Sequence, residues 1–280
     1  MLDPAMPTQL QTPNSLYLGA SDSTDRKILE VGVAWLDRQQ AFDCVRQALV
    51  REKQTRIAFL NANNANITIA NRKYREALEG FLVLPDGFGL DLASRALYSK
   101  PFPDNLNGTD FVPGLFAYLV KPKRIALIGA QPDVLAEATR LFKRATPWHE
   151  FFAVSDGYFD RDSSGAVLDR LAALKPDIVL VGMGSPMQEL WISEHVRSEH
   201  GKVIIGVGAL FDFVSETMPR APAVVRKLRS EWLFRLFCEP RRLWIRYIIG
   251  NPLFLLRILR QKLTLRRAAS SWGDHEGQRE

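Results

Sequence analysis

Short apolar segments alternate along most of the chain with longer segments whose apolar residues recur at helical spacing. The runs 125–128 and 178–181 are apolar without alternation, which is typical of strands that are covered on both faces. Strands are predicted at Val31–Leu36, Arg56–Leu60, Phe81–Leu84, Arg124–Ile128, Glu150–Val154, Asp177–Val181 and Lys202–Val207.

The segments between these strands predict helices, most clearly at Arg38–Arg51, Asn64–Glu79, Pro132–Ala145, Ala166–Leu174 and Pro186–Glu199. Strand–helix alternation predicts an α/β fold, Rossmann-like, with a mostly parallel sheet flanked by helices. Ligands of such sheets bind at the carboxyl ends of the strands. The loops expected to bind a ligand are therefore Asn61–Asn64, Pro85–Gly89, Gly129–Pro132, Gly182–Gln188 and Gly206–Asp212.

The two ends of the chain differ from this body. Residues 1–26 are polar with scattered Pro and Ser and lack the pattern of a signal peptide, so they predict a flexible leader. The body then spans 27–229. A segment at 230–267 mixes aromatic, aliphatic and Arg residues at near-helical spacing, and 268–280 are expected to form a disordered tail.

Positive charge is concentrated near the C-terminus. Residues 220–267 hold thirteen Lys or Arg and two acidic residues, leaving 24 basic and 29 acidic residues elsewhere. This asymmetry predicts a localised anionic partner. A solvated face, a nucleic-acid patch and a membrane-plus-phosphate surface are the alternatives. The apolar stretch is too short and interrupted to span a bilayer, which needs ~20 apolar residues. Interleaved aromatic residues favour a basic amphipathic segment at the lipid interface, although single-strand nucleic-acid binding uses the same residue types.

Asp86 is the candidate general base. It lies in Pro85–Gly89, after a predicted strand, where a carboxylate can accept the proton of a substrate hydroxyl; the alternative is a simple Asp-Gly turn at Asp86 and Gly87. Asn61 and Asn63, at the end of the preceding strand, are candidates for holding sugar hydroxyls. Asn64 is predicted to be the N-cap of the following helix.

Two glycine turns, at 182–189 and 206–212, are followed by helical patterns, and helix N-termini offer free amides to a diphosphate. Neither turn completes GxGxxG, so a nicotinamide-dependent oxidoreductase is not supported. Asp160-Arg-Asp162 has the DxD form that binds metal and nucleotide-sugar diphosphates, but a solvated turn is the favoured interpretation. The histidines do not have the spacing of metal ligands, and Cys44 and Cys238 do not form a CxxC motif. No metal site is therefore predicted.

A series of short motifs extends over about residues 57–247: LNANN, LPDGFG, NGTD, LIG, DGYF, VGMGSPMQE, GVGALFD, RAP and EWLFR with EPRR. In this order, the motifs resemble those of the WecG/TagA/CpsF glycosyltransferases, glycosyltransferase family 26. The resemblance implies an inverting, metal-independent enzyme without a cofactor. It also implies a UDP-sugar donor, a polyprenyl-diphosphate-linked sugar acceptor, an anionic membrane surface as partner, self-association and no nucleic-acid partner. The implied location is peripheral, on the cytoplasmic face of the inner membrane.

The resemblance also assigns roles to residues. Asp86 corresponds to the proposed base, and arginines of the C-terminal appendage close over the site, with Arg235 and Arg242 as the best matches and Arg246 as a third. Asn61 and Asn105 depart from the family pattern, which has a Thr-like residue and an Arg at these positions. Further candidates for substrate binding are Asn63, Gly87, Asn107, Gly129, Tyr158, Gly184, Gln188 and Asp212.

The motifs do not identify the sugar that is transferred. The two departures favour a plain hexose for exopolysaccharide assembly, and N-acetylmannosamine or its uronic acid is the alternative within the family. A non-enzymatic membrane or nucleic-acid adaptor is the alternative outside it.

Overall fold

The computed structural model describes residues 25–51, 54–217, 236 and 240–276. Most of the predicted leader and the whole of the RAP and EWLFR motifs lie outside these residues. The described part contains a six-stranded parallel sheet, a separate two-stranded hairpin, flanking helices and a helical C-terminal end. The predicted fold class is therefore confirmed.

The strands of the sheet are β3 Thr55–Leu60, β4 Leu82–Pro85, β5 Arg124–Gly129, β6 Glu150–Ser155, β7 Ile178–Gly182 and β8 Val203–Gly206. Each of these strands was predicted, and no strand end differs from its prediction by more than one residue. The strand order is β4-β3-β8-β7-β5-β6, and all neighbouring pairs are parallel.

Helices cover both faces of the sheet. They are α1 Arg38–Ala48, α2 Ala62–Ala70, α3 Arg72–Leu78, α4 Phe88–Tyr98, α5 Gly108–Tyr118, α6 Pro132–Ala145, α7 Gly165–Leu174, α8 Met187–His195 and α9 Leu210–Val214. The apolar run of β5 shows why alternation is missing: Ile125 and Leu127 enter one core cluster, and Ala126 and Ile128 enter the other.

The predicted helix Asn64–Glu79 is instead two helices. Asn71 is extended (φ −121°, ψ 95°) and its side chain accepts the Tyr74 N–H at 3.0 Å, so it begins α3 as an N-cap. At the other end of the body, α8 ends at His195, and a 3₁₀ turn at Ser198–His200 replaces the rest of the predicted Pro186–Glu199 helix.

The predicted strand Val31–Leu36 does not join the main sheet. Only Val31–Val33 is a strand, β2, and it pairs antiparallel with β1, Arg26–Ile28. Arg26 was assigned to the leader, but it is buried, and its guanidinium lies 4.9, 5.4 and 5.7 Å from the rings of Trp35, Tyr98 and Phe102. The folded body therefore begins before residue 27, because the cation is enclosed by aromatic rings.

The C-terminal end is a helix in three consecutive parts: α10 Pro240–Trp244, a π-helical turn Ile245–Ile249, and α11 Gly250–Glu276. The helix continues through 268–276, which were expected to be disordered. None of the described helices is long and apolar enough to cross a membrane.

Candidate active site

Strand order brings two of the predicted site loops together. Because all six strands are parallel, their carboxyl ends meet at one edge, and β3 and β4 are direct neighbours with Leu60 paired to Pro85. The residues that follow these two strands, Asn61 and Asp86, are therefore adjacent. Both residues thus lie at the carboxyl ends of neighbouring strands, where parallel sheets bind their ligands.

Asp86 is half-buried at this edge and is held by its backbone and its side chain. Its N–H donates to the Leu60 carbonyl at 2.8 Å, which extends the β3–β4 pairing by one residue. Its Oδ2 lies 3.4 Å from the Asn61 Nδ2. The carboxylate is thus oriented by a neighbouring amide and still reaches solvent, as a base for an incoming hydroxyl must.

Asn61 also caps helix α2, a role that was predicted for Asn64. Asn61, not Asn64, is the N-cap of α2, and its Oδ1 accepts the Asn64 N–H at 3.0 Å. Asn64 is buried in the first turn, where its amide donates to the Phe59 carbonyl at 3.4 Å. The cap prediction was wrong by three residues because β3 ends at Leu60 and α2 begins at once.

Gly87 and Asn105 define the turn that carries Asp86. Gly87 has φ +89°, a conformation that side-chain-bearing residues rarely adopt. Its N–H donates to the Asn105 Oδ1 at 2.7 Å, and the Leu106 N–H donates to the Pro85 carbonyl at 3.0 Å. Asn105, noted as a departure from the family pattern, therefore stabilises the backbone next to Asp86.

The NGTD motif forms a capping cluster at the start of α5. The Asn107 Oδ1 accepts the Asp110 N–H at 2.9 Å and the Thr109 hydroxyl at 2.6 Å, and its Nδ2 donates to the Asp110 Oδ2 at 3.1 Å. Asn107 is buried, so the contacts seen here position the loop that contains Asn105. Asn63, in the first turn of α2, is half-exposed and donates to the Asn64 Oδ1 at 3.4 Å.

Glycines line the middle of the same edge. Gly129 ends β5 with φ +125°, and a Cβ there would overlap the Gly182 carbonyl at the end of β7. Gly184 and Gly208 also have positive φ, +81° and +56°. The Gln188 Oε1 accepts both their N–H groups, at 3.2 and 3.0 Å, so this buried amide joins the two turns.

The remaining candidates lie near this edge in different surroundings. Tyr158 follows β6 and is 73% exposed, with its N–H donating to the Asp156 Oδ1 at 2.8 Å. Asp212 lies half-buried in the first turn of α9. In the DxD sequence the Asp162 N–H donates to the Asp160 Oδ1 at 3.1 Å within an exposed turn, which confirms the turn interpretation. The described residues include no group of three His, Cys, Asp or Glu side chains suited to a metal ion.

Of the three candidate arginines, Arg235 lies outside the described residues, and Arg242 lies within α10. Arg246 is in the π-helical turn, half-exposed, with its guanidinium 5.6 Å from the Tyr247 ring. Within the described part of the chain, its Nε is buried without a hydrogen-bond partner. Burial of an unsatisfied donor is costly, so Arg246 is suited to receive an anionic acceptor.

The C-terminal helix packs on the two helices that begin at the candidate catalytic loops. Phe254 and Ile258 of α11 are buried against α2 and α4, and the Phe254 ring comes within 3.8 Å of where a Cβ on Gly89 would lie. The Asn66 Nδ2 donates to the Gly250 carbonyl at 2.7 Å. The Arg257 guanidinium donates to the Asn66 carbonyl and Oδ1 at 3.0 and 2.9 Å.

A second contact joins the same helix to the hairpin. The Gln261 Oε1 accepts the Leu29 N–H at 2.9 Å, and its Nε2 donates to the Lys27 carbonyl at 2.9 Å. Charge and aromatic content mark this segment in the sequence, but they do not predict its docking residues, which are Asn66, Arg257 and Gln261. Long-range side-chain-to-backbone contacts leave no periodic signal in a single sequence.

Ser185 and Glu189 were also not singled out. The Glu189 Oε1 accepts the Ser185 hydroxyl at 2.7 Å and the Gln188 amide at 2.8 Å. Glu189 occupies the first turn of α8, where an acidic residue is usually an exposed partner of the helix dipole. Its following neighbours, Leu190, Trp191 and Ile192, were the available signal that this turn faces the core.

The carboxyl edge of the sheet combines several chemical groups: a half-buried carboxylate, a neighbouring amide, the backbone of glycine turns and a basic helical segment. A carboxylate accepts a proton from an alcohol, and backbone amides with guanidinium groups stabilise a departing diphosphate. This arrangement is suited to group transfer from an activated phosphate ester to a hydroxyl.

Comparison with known proteins agrees with this chemistry. The sequence model of the family described as "Glycosyl transferase WecG/TagA/CpsF family" matches residues 26–268. Two similar proteins carry the name N-acetylglucosaminyldiphosphoundecaprenol N-acetyl-beta-D-mannosaminyltransferase. The protein from Bacillus spizizenii is 32% identical over 218 residues, which cover 75% of this chain and 81% of the relative. The protein from Staphylococcus aureus strain MRSA252 is 28% identical over 214 residues, which cover 76% and 82%.

The family match covers most of the chain, including both strands of the Asp86 edge and the helix that docks beside it. The chain belongs to the WecG/TagA/CpsF family of glycosyltransferases.

Proposed function

We propose that this glycosyltransferase moves an N-acetylmannosaminyl group from a UDP-linked donor to an N-acetylglucosaminyl group carried on a polyprenyl diphosphate. The names of the relatives support this sugar and this acceptor. They favour N-acetylmannosamine over the plain hexose that the Asn61 and Asn105 departures suggested. The observation that carries the proposal is the oriented, half-buried carboxylate of Asp86 at the carboxyl edge of the parallel sheet.

The proposed step is a single displacement. The Asp86 carboxylate accepts the proton of the acceptor hydroxyl as that oxygen bonds to the anomeric carbon. The bond between the anomeric carbon and the β-phosphate oxygen breaks, and UDP leaves with the electron pair. Attack opposite the leaving group inverts the anomeric centre. The neighbouring Asn61 amide, 3.4 Å from the Asp86 Oδ2, restrains the carboxylate, which supports Asp86 as a fixed proton acceptor.

Stabilisation of the leaving UDP is assigned to the C-terminal arginines and to glycine turns. Arg235, Arg242 and Arg246 are the proposed cationic groups, since guanidinium pairs with two phosphate oxygens at once. The turns at Gly184 and Gly208 are proposed to approach the donor, with Tyr158 and Asp212 beside them. No cofactor and no metal ion is required in this scheme.

Membrane contact is proposed for the outer face of the C-terminal helix. While Phe254 and Ile258 face the body, large apolar side chains on the other face are 38–57% exposed. They are Ile245, Ile248, Ile249, Leu253, Leu255, Leu256, Leu259 and Leu263. Exposed basic residues such as Arg260 and Arg266 alternate with them. Apolar and basic side chains on one helix face favour an anionic lipid interface, where each cation contributes ~1 kcal/mol.

The test uses the full chain with a short-chain polyprenyl diphosphate carrying N-acetylglucosamine. UDP-N-acetylmannosamine, its uronic acid, UDP-glucose and UDP-galactose are supplied in turn, with and without EDTA, and the product is identified by mass and by anomeric configuration. We expect turnover with UDP-N-acetylmannosamine that survives EDTA and gives the inverted anomer. Turnover with UDP-glucose alone would restore the hexose alternative.

Asp86→Asn separates an enzyme from a membrane or nucleic-acid adaptor. We expect kcat to fall by about 10²–10⁴-fold, because a neutral amide cannot accept the proton. Asp169→Asn, an exposed acid on α7, is the matched control and should leave kcat unchanged. Equal activity of Asp86→Asn and the control would contradict the assignment of Asp86.

A further inference from the structure

A chain of hydrogen bonds connects Glu189 to both glycine turns of the edge. The Glu189 Oε1 accepts the Gln188 amide at 2.8 Å, and the Gln188 Oε1 in turn accepts the N–H groups of Gly184 and Gly208. The space for these side chains exists because Gly206 has no side chain: a Cβ there would lie 2.9 Å from the Gln188 Nε2 and 3.4 Å from the Glu189 Oε1. The turns that follow β7 and β8 are therefore joined through the Gln188 amide, which the Glu189 carboxyl group holds in place.

Glu189 is placed where a charge is disfavoured. Its side chain is completely buried, and among the described residues its Oε2 has no hydrogen-bond partner and no Lys, Arg or His forms an ion pair with it. An isolated buried carboxylate is far more costly than the neutral acid. Burial raises the pKa of Glu189, although hydrogen bonds from Gln188 and Ser185 act in the opposite direction.

The surroundings supply a polar neighbour for the neutral acid. Tyr74, on the packed helix α3, is also completely buried, and its hydroxyl has no hydrogen-bond partner among the described residues. Burial is the main cause that raises the pKa of Tyr74, the nearby Glu189 adds to it, and the Ser185 hydroxyl close to the phenol acts in the opposite direction. Tyr74 is a neutral phenol and brings no positive charge that could compensate an ionised Glu189, so the neutral acid stays the favoured form.

We propose that Glu189 is a positioning residue that acts as a neutral acid: its Oε1 fixes the Gln188 amide, and Gln188 thereby sets the shape of the two glycine turns. Glu189 does not touch substrate in this arrangement. It acts through Gln188, whose two accepted hydrogen bonds hold Gly184 and Gly208 at a fixed separation. The consequence for donor binding rests on the proposed function, whereas the consequence for the turns does not.

The first experiment reports on the turns without any substrate. The chain has 18 glycines, so glycine-selective ¹⁵N labelling gives a spectrum in which the amides of Gly184 and Gly208 can be followed. In Glu189→Gln the side-chain oxygen still accepts from Ser185 and Gln188, so both signals should stay in place. In Glu189→Ala the acceptor is lost, and both signals should move together, as they should in Gln188→Ala.

Two further readouts address the protonation state and the reaction. The infrared difference spectrum between the wild type and Glu189→Gln at neutral pH should contain the C=O band of a protonated carboxylic acid. In the transferase assay, Glu189→Ala should raise the donor KM by about tenfold, as expected for ~1.4 kcal/mol of lost positioning, and Glu189→Gln should restore it. Glu194→Ala, on the exposed side of the same helix, is the control and should change none of these quantities.

The proposal is overturned if Glu189→Gln is as damaging as Glu189→Ala, because a charged carboxylate would then be required. It is also overturned if Glu189→Ala folds with both glycine signals unmoved. If Glu189→Ala does not fold, Glu189→Gln decides. If the glycine signals move in Glu189→Ala but the wild type shows no turnover, the positioning role is supported and the proposed reaction is contradicted. Failure of the positioning role and failure of the proposed function are therefore distinguishable.

Discussion

The Asn61 Nδ2 lies 3.4 Å from the Asp86 Oδ2, while the Asn61 Oδ1 accepts the Asn64 N–H at 3.0 Å. One side chain thus begins helix α2 and orients the proposed base. Asn71 caps α3 in the same way, through the Tyr74 N–H at 3.0 Å, and lies ten positions along the chain from Asn61. Because both asparagines cap a helix and only Asn61 contacts Asp86, their variants distinguish an effect on stability from an effect on catalysis.

Asn61→Ala and Asn71→Ala should each lower the free energy of unfolding by about 1 kcal/mol, because each removes one N-cap. Only Asn61→Ala should also lower kcat, by about tenfold or more, since it frees the Asp86 carboxylate. Urea unfolding and steady-state kinetics of both variants check this. An equal loss of kcat in both would mean that Asn61 matters only for stability.

Asn105→Ala should destabilise the turn at Asp86 and Gly87, because the Gly87 N–H loses its 2.7 Å acceptor. We expect a loss of about 1 kcal/mol in stability and a lower kcat with little change in donor KM. Asn105→Asp keeps the acceptor and should retain stability better. Asn105→Arg, the family residue, distinguishes the two roles: a lower donor KM would indicate that the arginine of relatives binds phosphate.

Arg257→Ala should weaken the docking of α11, because the Asn66 carbonyl and Oδ1 both lose their donor. The expected result is a modest loss of thermal stability together with a clear loss of turnover. Arg260→Ala, whose side chain is exposed on the same helix, is the matched control. Hydrogen exchange should show faster exchange in α11 of the first variant and unchanged protection in the control.

The proposed membrane face predicts that binding to vesicles depends on the exposed leucines of the C-terminal helix. Replacing Leu256, Leu259 and Leu263 together by Ser should abolish binding to vesicles that contain anionic lipid, since three partly exposed leucines are lost from one face. Val50→Ser with Val120→Ser, at two exposed apolar positions elsewhere, is the control. Vesicle sedimentation at low and high salt measures both. Unchanged binding of the triple variant would contradict the assignment of this face.

His149 predicts loss of stability in mild acid. It is buried, its Nδ1 accepts the Lys123 N–H at 3.1 Å and its Nε2 donates to the Phe116 carbonyl at 2.9 Å, so the neutral ring is the form that fits. Burial lowers the pKa of His149. The unfolded chain therefore binds the proton more readily, and stability is fully present above pH ~6.5 and falls as pH drops below it.

The check is the unfolding midpoint in urea between pH ~5 and pH ~8. His149→Gln should flatten part of the slope, and the rest is expected from His200, whose pKa is also lowered by burial. His195→Gln, at a partly exposed position, serves as the comparison. A wild-type midpoint that does not change with pH would contradict a neutral, buried His149.

The parallel sheet and its site edge were predictable because they leave local patterns. Apolar runs such as 178–181 mark strands buried on both faces, and glycine or Asp-Gly sequences mark the turns that follow them. Asn61 and Asp86 came together because consecutive strands of an α/β fold are usually neighbours. The resemblance to the family added the role of Asp86, which a simple turn would not have required.

The errors have local physical causes. Asn64 was chosen as a cap because it precedes a helical pattern, but β3 leaves no loop residue other than Asn61 before α2. Helices α4 and α5 were not predicted because Gly, Pro and Asn at 85–89 and 103–108 read as loop, although they cap or precede helices here. The burial of Arg26 depends on three aromatic rings from distant positions, which no local pattern reveals.

Helix α2 carries Asn61 at its start and Asn66, the docking partner of Gly250 and Arg257, five residues later. Five residues of α-helix span about 7.5 Å, so the docking contact of the C-terminal helix lies close to the amide beside Asp86. If the proposed membrane contact shifts the C-terminal helix, we therefore expect the Asn61 amide to shift with it, which would make lipid binding a regulator of the proposed proton acceptor.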